Sequence, residues 1–138
     1  MTNEACPCGS GRALAACCGP YLDDCATAPT AEALMRSRYT AYVLERHDYL
    51  RATWDPATCP ARLAAEPGLR WLGLAIKRVA GGGANDTTGT VEFVARSKRG
   101  GRASRLHEVS HFERRNGRWV YVHGEPGARA RGQTPVDK

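Results

Sequence analysis

The sequence predicts an α+β protein in which a small cysteine-rich segment precedes helices packed on a curved antiparallel sheet. Three observations carry this reading. Four of the six cysteines fall between residues 6 and 18. A segment with helical apolar spacing starts at Thr30, and from Trp71 the periodicity changes to strand-like runs separated by turn-forming residues. Helices first and strands afterwards is the order in which helices cover one face of a sheet.

Length and composition narrow the classes. A chain of 138 residues is about one average domain, which argues against separate cofactor and substrate domains. Hydrophobic residues at 42% and charged residues at 25% are the balance of a globular protein. No apolar run approaches the ~18 residues of a membrane span. The first residues carry neither a basic n-region nor an apolar h-region, so a cytoplasmic location is expected.

Each element has a local cause. Thr30 is a natural N-cap, with Glu32 in the first turn where the helix dipole favours a carboxylate. Met35, Tyr39, Tyr42 and Val43 then form one apolar stripe of a helix ending near His47. Asp48 can cap a short second helix with Leu50 and Trp54 on its inner face, stopped by Pro56. A third short helix is expected over Arg62 to Glu66. Strands are expected at Trp71 to Ala80, Gly89 to Ser97, Arg105 to Arg115 and Arg118 to His123. Residues 81–88 form the first connection, and Asn116-Gly117 suits a two-residue type I′ turn. The Gly-, Arg- and Pro-rich stretch from Pro126 onward has the composition of a disordered tail.

The cysteines are the most specific feature. Cys6, Cys8, Cys17 and Cys18 are spaced Cys-x-Cys-x8-Cys-Cys. In a reducing compartment such a cluster reads as a metal site, the alternative being free or disulfide-linked thiols. Two close pairs on a short loop can surround one tetrahedral ion, and Gly9 and Gly11 permit the positive φ angles of a tight turn. A segment of ~20 residues buries too little apolar surface to fold alone, whereas structural zinc supplies roughly 10 kcal/mol or more. Four thiolates leave no open position for water, so the ion would be structural; iron also accepts four thiolates. Cys25 and Cys59 have no flanking His or Cys-x-x-Cys partner and read as inert.

The string from Cys6 to Gly19 resembles a SEC-C motif, the small metal-binding module also found at the C-terminus of the SecA translocation ATPase. Gly19-Pro20-Tyr21, the run from Leu34 to Tyr42, Tyr49 to Trp54, Trp71 to Leu74, Val91 to Arg96 and Gly117 to Trp119 resemble the bacterial YchJ family. Together these matches cover about residues 5 to 124. The resemblance implies a SEC-C zinc-binding module over residues 1–26, a cone-shaped nuclear-transport-factor-2-like domain over 27–125 and a tail over 126–138. It also implies a family without an assigned biochemical role. Some relatives carry a second SEC-C motif at the C-terminus, whereas residues 129–138 here read Arg-Ala-Arg-Gly-Gln-Thr-Pro-Val-Asp-Lys.

His107-Glu108-Val109-Ser110-His111 matches H-E-x-x-H, in which two histidines bind zinc beside a glutamate base. That chemistry needs a helix, where i and i+4 side chains lie about 6 Å apart. On the expected strand the histidines stand about 13 Å apart, so the protease reading is refused. On that strand Glu108 and Ser110 share a face with Leu106 and Phe112, while His107 and His111 take the other.

A cone-shaped domain of this resemblance often holds a cavity between helix and sheet. The candidate pocket residues are Arg36, Arg38, Tyr39, Tyr42, Glu108 and His107, with His111 and His123 as further titratable groups. One of Arg36 and Arg38 is expected in a buried ion pair with Glu92 or Glu108. Trp54, Trp71 and Trp119 are expected to fill core volume.

Charge is uneven. Residues 1–66 hold 6 basic and 8 acidic residues, and residues 67–138 hold 14 and 6, so the net +6 resides in the second half. A basic half of this kind can attract nucleic acid or a ribosome, or can be a solvated arginine-rich surface. The leading expectation is a non-catalytic protein whose SEC-C zinc module contacts a protein partner, for which the resemblance to the SecA tail suggests a chaperone or ribosome-associated one. The alternative is a small-ligand binder or acid-base enzyme using the cavity, with zinc purely structural.

Overall fold

The computed structural model describes residues 4–63 and 67–127. A 3-10 turn at Leu14–Ala16 and a short helix α1, Gly19–Leu22, are followed by α2, Ala31–Val43, and α3, His47–Ala52. Four strands follow: β1 Leu69–Gly81, β2 Thr88–Arg99, β3 Arg102–Arg115 and β4 Arg118–Pro126. They form one antiparallel meander in the order β1-β2-β3-β4. The fold is therefore α+β, a cysteine-rich segment followed by helices lying across a four-stranded sheet. No helix among the described residues is long and apolar enough to cross a membrane.

The α2 helix begins where its cap predicts, because Thr30 Oγ1 accepts a hydrogen bond from the Ala33 amide at 3.0 Å. It ends at Val43, earlier than the expected His47, because Glu45 adopts a left-handed φ of 59°. Asp48 accordingly lies in the first turn of α3, whose N-cap is Arg46. Residues 62 and 63 are irregular rather than helical, and 64–66 lie outside the described residues; the tail expected from Pro126 starts later, because Pro126 is the last residue of β4, and residues from 128 onward lie outside the described residues.

Both β2-β3 and β3-β4 are tight hairpins. Asn116 and Gly117 have φ of 54° and 80°, the type I′ signature. Gly100 and Gly101, with φ of 57° and 81°, make the same kind of turn and extend β3 back to Arg102, three residues before its expected start. In β1-β2 the chain closes tightly on glycine: a Cβ on Gly89 would lie 2.4 Å from the Gly82 Cα. The Gly82 carbonyl then accepts from the Ala31 amide at 2.9 Å, which ties the hairpin to the start of α2.

One core cluster joins α2, the sheet and the cysteine segment. It contains Met35, Tyr39, Val91, Phe93, Ala95, Phe112 and Trp119 together with Cys6, Cys8, Cys17 and Cys18. Leu22, Ala41 and Leu50 form a second cluster between α1, α2 and α3. The α2 helix is thus buried on two sides, which accounts for its polar interior. Ser37 Oγ donates to the Leu34 carbonyl at 2.8 Å and lies 2.7 Å from Tyr49 Oη. Trp119 is buried and donates to the Pro29 carbonyl, whereas Trp54 and Trp71 are half-buried.

Candidate metal centre and cavity

The cysteine segment is shaped by its turns. Cys6 donates its amide to the Arg12 carbonyl and Gly9 donates to the Cys6 carbonyl, closing a loop whose glycines 9 and 11 have φ of 81° and 87°. The 3-10 turn at Leu14–Ala16 returns the chain so that Cys17 and Cys18 face Cys6 and Cys8. All four side chains are buried, and their Sγ atoms all lie within 4.8 Å of one another.

The distances fit a four-coordinate metal. A tetrahedron with ~2.3 Å metal–sulfur bonds has edges of about 3.8 Å. Cys8 and Cys17 Sγ are 3.6 Å apart, and Cys17 and Cys18 Sγ 4.0 Å. A disulfide needs about 2.05 Å, and all six cysteines are unbridged.

The surroundings complete the donor set. Arg36 Nη1 donates to the Cys8 carbonyl at 2.8 Å and sits 3.7 Å from Cys8 Sγ. Ser10 Oγ is 3.1 Å from Cys17 Sγ, and Thr40 Oγ1 is 3.6 Å from Cys6 Sγ. The hydrogen bond from Cys18, against the opposing effect of burial and with help from Ser10 and Arg36, holds the Cys8 thiol down to about 4. The same bond and burial push Cys18 up, and burial pushes Cys6 up. One sulfur of the cluster is therefore a ready anionic donor. Loss of the remaining thiol protons is what a divalent ion would drive.

Sequence reading missed Arg36 as part of this centre. It was expected in the pocket, but its guanidinium turns toward Cys8 and pairs with Glu32 at 3.0 Å, one helical turn away. The spacing of Glu32 and Arg36 signals their pair; the reach to Cys8 is tertiary.

A cavity of about 920 Å³ lies between α2 and the concave face of the sheet. Arg38, Tyr39, Tyr42 and Glu108 line it. His107 does not: strand alternation points it outward, where Nε2 meets Glu92 Oε2 at 2.7 Å. His111 also faces outward, 2.5 Å from Glu125 and stacked on His123 with ring centroids 4.4 Å apart. The H-E-x-x-H string thus lies on β3 with its glutamate and histidines on opposite faces.

Neither expected ion pair of α2 with Glu92 forms. Glu92 is turned outward to His107, and Arg36 is held by Glu32. Arg38, 4% exposed, instead donates to the Leu50 carbonyl at 2.9 Å and to Thr53 Oγ1 at 2.7 Å. Its guanidinium lies 4.8 Å from the Trp54 ring and 4.7 Å from the Tyr121 ring. Glu108 accepts from Ser110 Oγ at 2.9 Å and Tyr121 Oη at 3.3 Å. Burial and the nearby Glu108 push the Tyr121 phenol well above its ordinary range. Gly124 leaves room for the Glu108 side chain, which a Cβ there would strike.

Comparison with known proteins places these features. Residues 30–124 match the YchJ middle NTF2-like domain, and residues 3–20 match the SEC-C motif. A UPF0225 protein of Chromobacterium violaceum is 56% identical over 128 residues, covering 90% of this chain and 94% of that protein. One of Streptomyces coelicolor is 54% identical over 125 residues, covering 91% and 98%. The solution structure of a SEC-C motif-containing protein from Rhodopseudomonas palustris is similar with a TM-score of 0.79 at 39% identity, over 89% of this chain and 98% of that one. A crystal structure of a SEC-C motif-containing protein from Psychrobacter arcticus gives a TM-score of 0.72 at 25% identity, over 92% and 85%. A SEC-C cysteine cluster able to hold a metal, joined to an NTF2-like sheet and helix, belongs to a chain that is a member of the UPF0225, or YchJ, family.

Proposed function

We propose that this protein is a non-catalytic metal-binding protein whose SEC-C segment holds one structural zinc through Cys6, Cys8, Cys17 and Cys18 and presents a surface to a protein partner. The observation that carries the reading is the buried, tetrahedron-sized set of four sulfurs. Four protein thiolates complete the coordination of zinc and leave no position for a reacting water. The loop around the site is offered to solvent, since Gly9, Ser10, Gly11 and Arg12 are exposed while the sulfurs are not. A rigid loop on a metal is a contact surface that costs little entropy to order. The basic second half supports an acidic or ribosomal partner, and the SEC-C likeness to the SecA tail supports a chaperone or ribosome-associated one. The protein is expected to act in the cytoplasm, where thiols stay reduced.

The test is co-sedimentation of zinc-loaded protein with ribosomes, and pull-down with cytosolic chaperones, beside Arg12→Glu and Cys17→Ser variants. Binding lost in both variants supports the reading; binding indifferent to both removes the SEC-C loop as the contact.

The cavity favours a second reading, a small-ligand binder or acid-base enzyme with a purely structural metal. Acid-base work needs two groups that exchange protons near neutrality. The cavity wall offers Glu108 beside a Tyr121 phenol held well above that range, while His107 and His111 face away. This arrangement suits binding better than catalysis.

A further inference from the structure

We propose that the outer face of the sheet, at the end where β2 turns into β3, binds the phosphate backbone of double-helical RNA. This surface is distinct from both the SEC-C loop and the cavity, and it stands whether or not the loop contacts a protein.

Strand alternation builds the patch. Phe93, Ala95 and Ser97 of β2 turn toward α2 and line the cavity, so Arg96 and Lys98 turn outward. Register carries that face onto both neighbouring strands. Arg105 of β3 stands directly opposite Arg96, and Arg70 of β1 directly opposite Lys98. All four side chains belong to exposed residues, and none has a hydrogen-bond or ion-pair partner among the described residues. The acids of the same face, Glu92 and Glu125, lie farther along the strands and are taken by His107 and His111.

The spacing concentrates the charge. Residues directly opposite on neighbouring strands have Cβ atoms ~5 Å apart, and successive outward residues of one strand are ~7 Å apart. The four cations therefore share a patch about 10 Å across, the width from β1 to β3. Like charges set directly opposite weaken a sheet, so both pairs are a cost to the free protein. A polyanion laid over them reverses that cost.

The neighbours of the cations decide which polyanion. Gly73, Val94 and Ala103, which border them on the same face, are small or aliphatic. They offer no ring on which the bases of a single strand could stack and no polar group that could read base edges. Such a face can grip only phosphates. RNA duplexes are recognised in this way, because their deep, narrow major groove hides the base edges. Three of the four cations are arginines, whose planar forks match phosphate oxygens two at a time. Contacts to a few phosphates give a dissociation constant on the order of 10 μM at physiological salt, so the face adds to a contact made by the SEC-C loop and does not replace it.

The test uses full-length, zinc-loaded protein and fluorescence anisotropy with an RNA hairpin of about 20 base pairs, the DNA duplex of the same sequence, and polyglutamate as an acidic polypeptide. RNA is expected to bind at least about 5-fold tighter than either competitor. At about 0.9 counterions released per phosphate, four contacts weaken binding about 50-fold between about 50 and about 150 mM salt. An Arg96→Gln, Arg105→Gln double variant is expected to lose at least about 10-fold in RNA affinity at the lower salt and to reduce the salt slope by about 2. Arg62→Gln with Arg118→Gln removes the same charge beside the helices and at the β3-β4 turn, and is expected to stay within about 2-fold of wild type. Equal losses in the two double variants, an unchanged slope in the first, or DNA or polyglutamate bound as tightly as RNA overturns the proposal. Removing Arg96 and Arg105 relieves repulsion, so the Tm of that variant is expected at or above wild type. Thermal unfolding and zinc content of each variant thus keep a folding failure, or a failure of the metal reading, apart from a failure of this one.

Discussion

Replacing Arg36 with Met tests whether the metal segment and α2 are one mechanical unit. Arg36 Nη1 bridges to the Cys8 carbonyl at 2.8 Å, and its side chain is 24% exposed. The apolar stem of Met keeps most of the packing, so the substitution chiefly removes a charge-assisted hydrogen bond and a cation beside four thiolates. Such a bond is worth about 1.5–3 kcal/mol when shielded, and about 2 kcal/mol after allowing for partial exposure. At ~2.1 cal/mol/K per residue, a chain of 138 residues unfolds with an entropy of about 0.29 kcal/mol/K. The expected fall in Tm is therefore about 7 °C. Groups that orient metal ligands typically carry about 10- to 100-fold of metal affinity, so zinc retention against a competing chelator is expected to weaken by about that factor. Glu32→Gln is the control: it breaks only the i,i+4 pair, worth about 0.3–0.5 kcal/mol, and is expected to shift Tm by no more than about 2 °C. Calorimetry and chelator competition on metal-loaded protein read both quantities. An Arg36→Met protein with wild-type chelator resistance would refute the idea that α2 supports the site.

Other consequences of the structure are as direct. Arg115 grips Asp55 with Nη1 to Oδ1 at 3.1 Å and holds its carboxyl below the ordinary 3.8. Because that folded-state value is depressed, the stability it supplies is present above about pH 4 and disappears as pH falls further, through the folded value. The Tm gap between wild type and Asp55→Asn is thus expected to be full at pH 6 and to close below pH 3.8; a gap independent of pH would contradict the pair. Phe112, 1% exposed in the core, is expected to cost about 3–5 kcal/mol as Phe112→Ala in denaturant unfolding, and a cost below 1 kcal/mol would deny its central place. Gly89→Ala would drive a Cβ to 2.4 Å from the Gly82 backbone and is expected to destabilise by about 1–3 kcal/mol. His111→Ala is expected to leave zinc stoichiometry unchanged, because His111 and His107 point away from the cysteine centre and pair with Glu125 and Glu92; loss of the ion would reinstate the H-E-x-x-H reading.

Features set by local chemistry were legible before any coordinates. The Thr30 cap, the Asn116-Gly117 turn and the alternation that sets Glu108 and His107 on opposite faces each depend on a few neighbouring residues, whereas which of the two faces turns inward is decided by α2 and did not follow from the strand. The spacing of the cysteines, with Gly9 and Gly11 between them, announced a tight loop able to gather four sulfurs. What distance along the chain decides was not legible. Arg36 and Arg38 differ by two positions and so leave α2 on different sides, one toward Cys8 and the other toward Trp54 and Tyr121. Neither direction follows from α2 alone, since both faces of that helix are covered by distant parts of the chain. The same reason hid the merging of the cysteine segment into the main core, where Cys6 meets Thr40 at 3.6 Å. The Gly100-Gly101 turn was missed, since the strands were expected to end at Ser97 and restart at Arg105, although its two adjacent glycines are the signal for it.

The central claim is that Cys6, Cys8, Cys17 and Cys18 hold a single structural zinc. It is tested most directly by elemental analysis of protein purified without oxygen, beside Cys17→Ser and Cys59→Ser. The account predicts one zinc per chain in wild type and Cys59→Ser and its loss in Cys17→Ser, with a lowered Tm because the site is part of the main core. One iron in its place would keep the site and contradict the metal assigned to it. A full equivalent of metal retained by Cys17→Ser, or no metal in the wild type, would contradict the site itself.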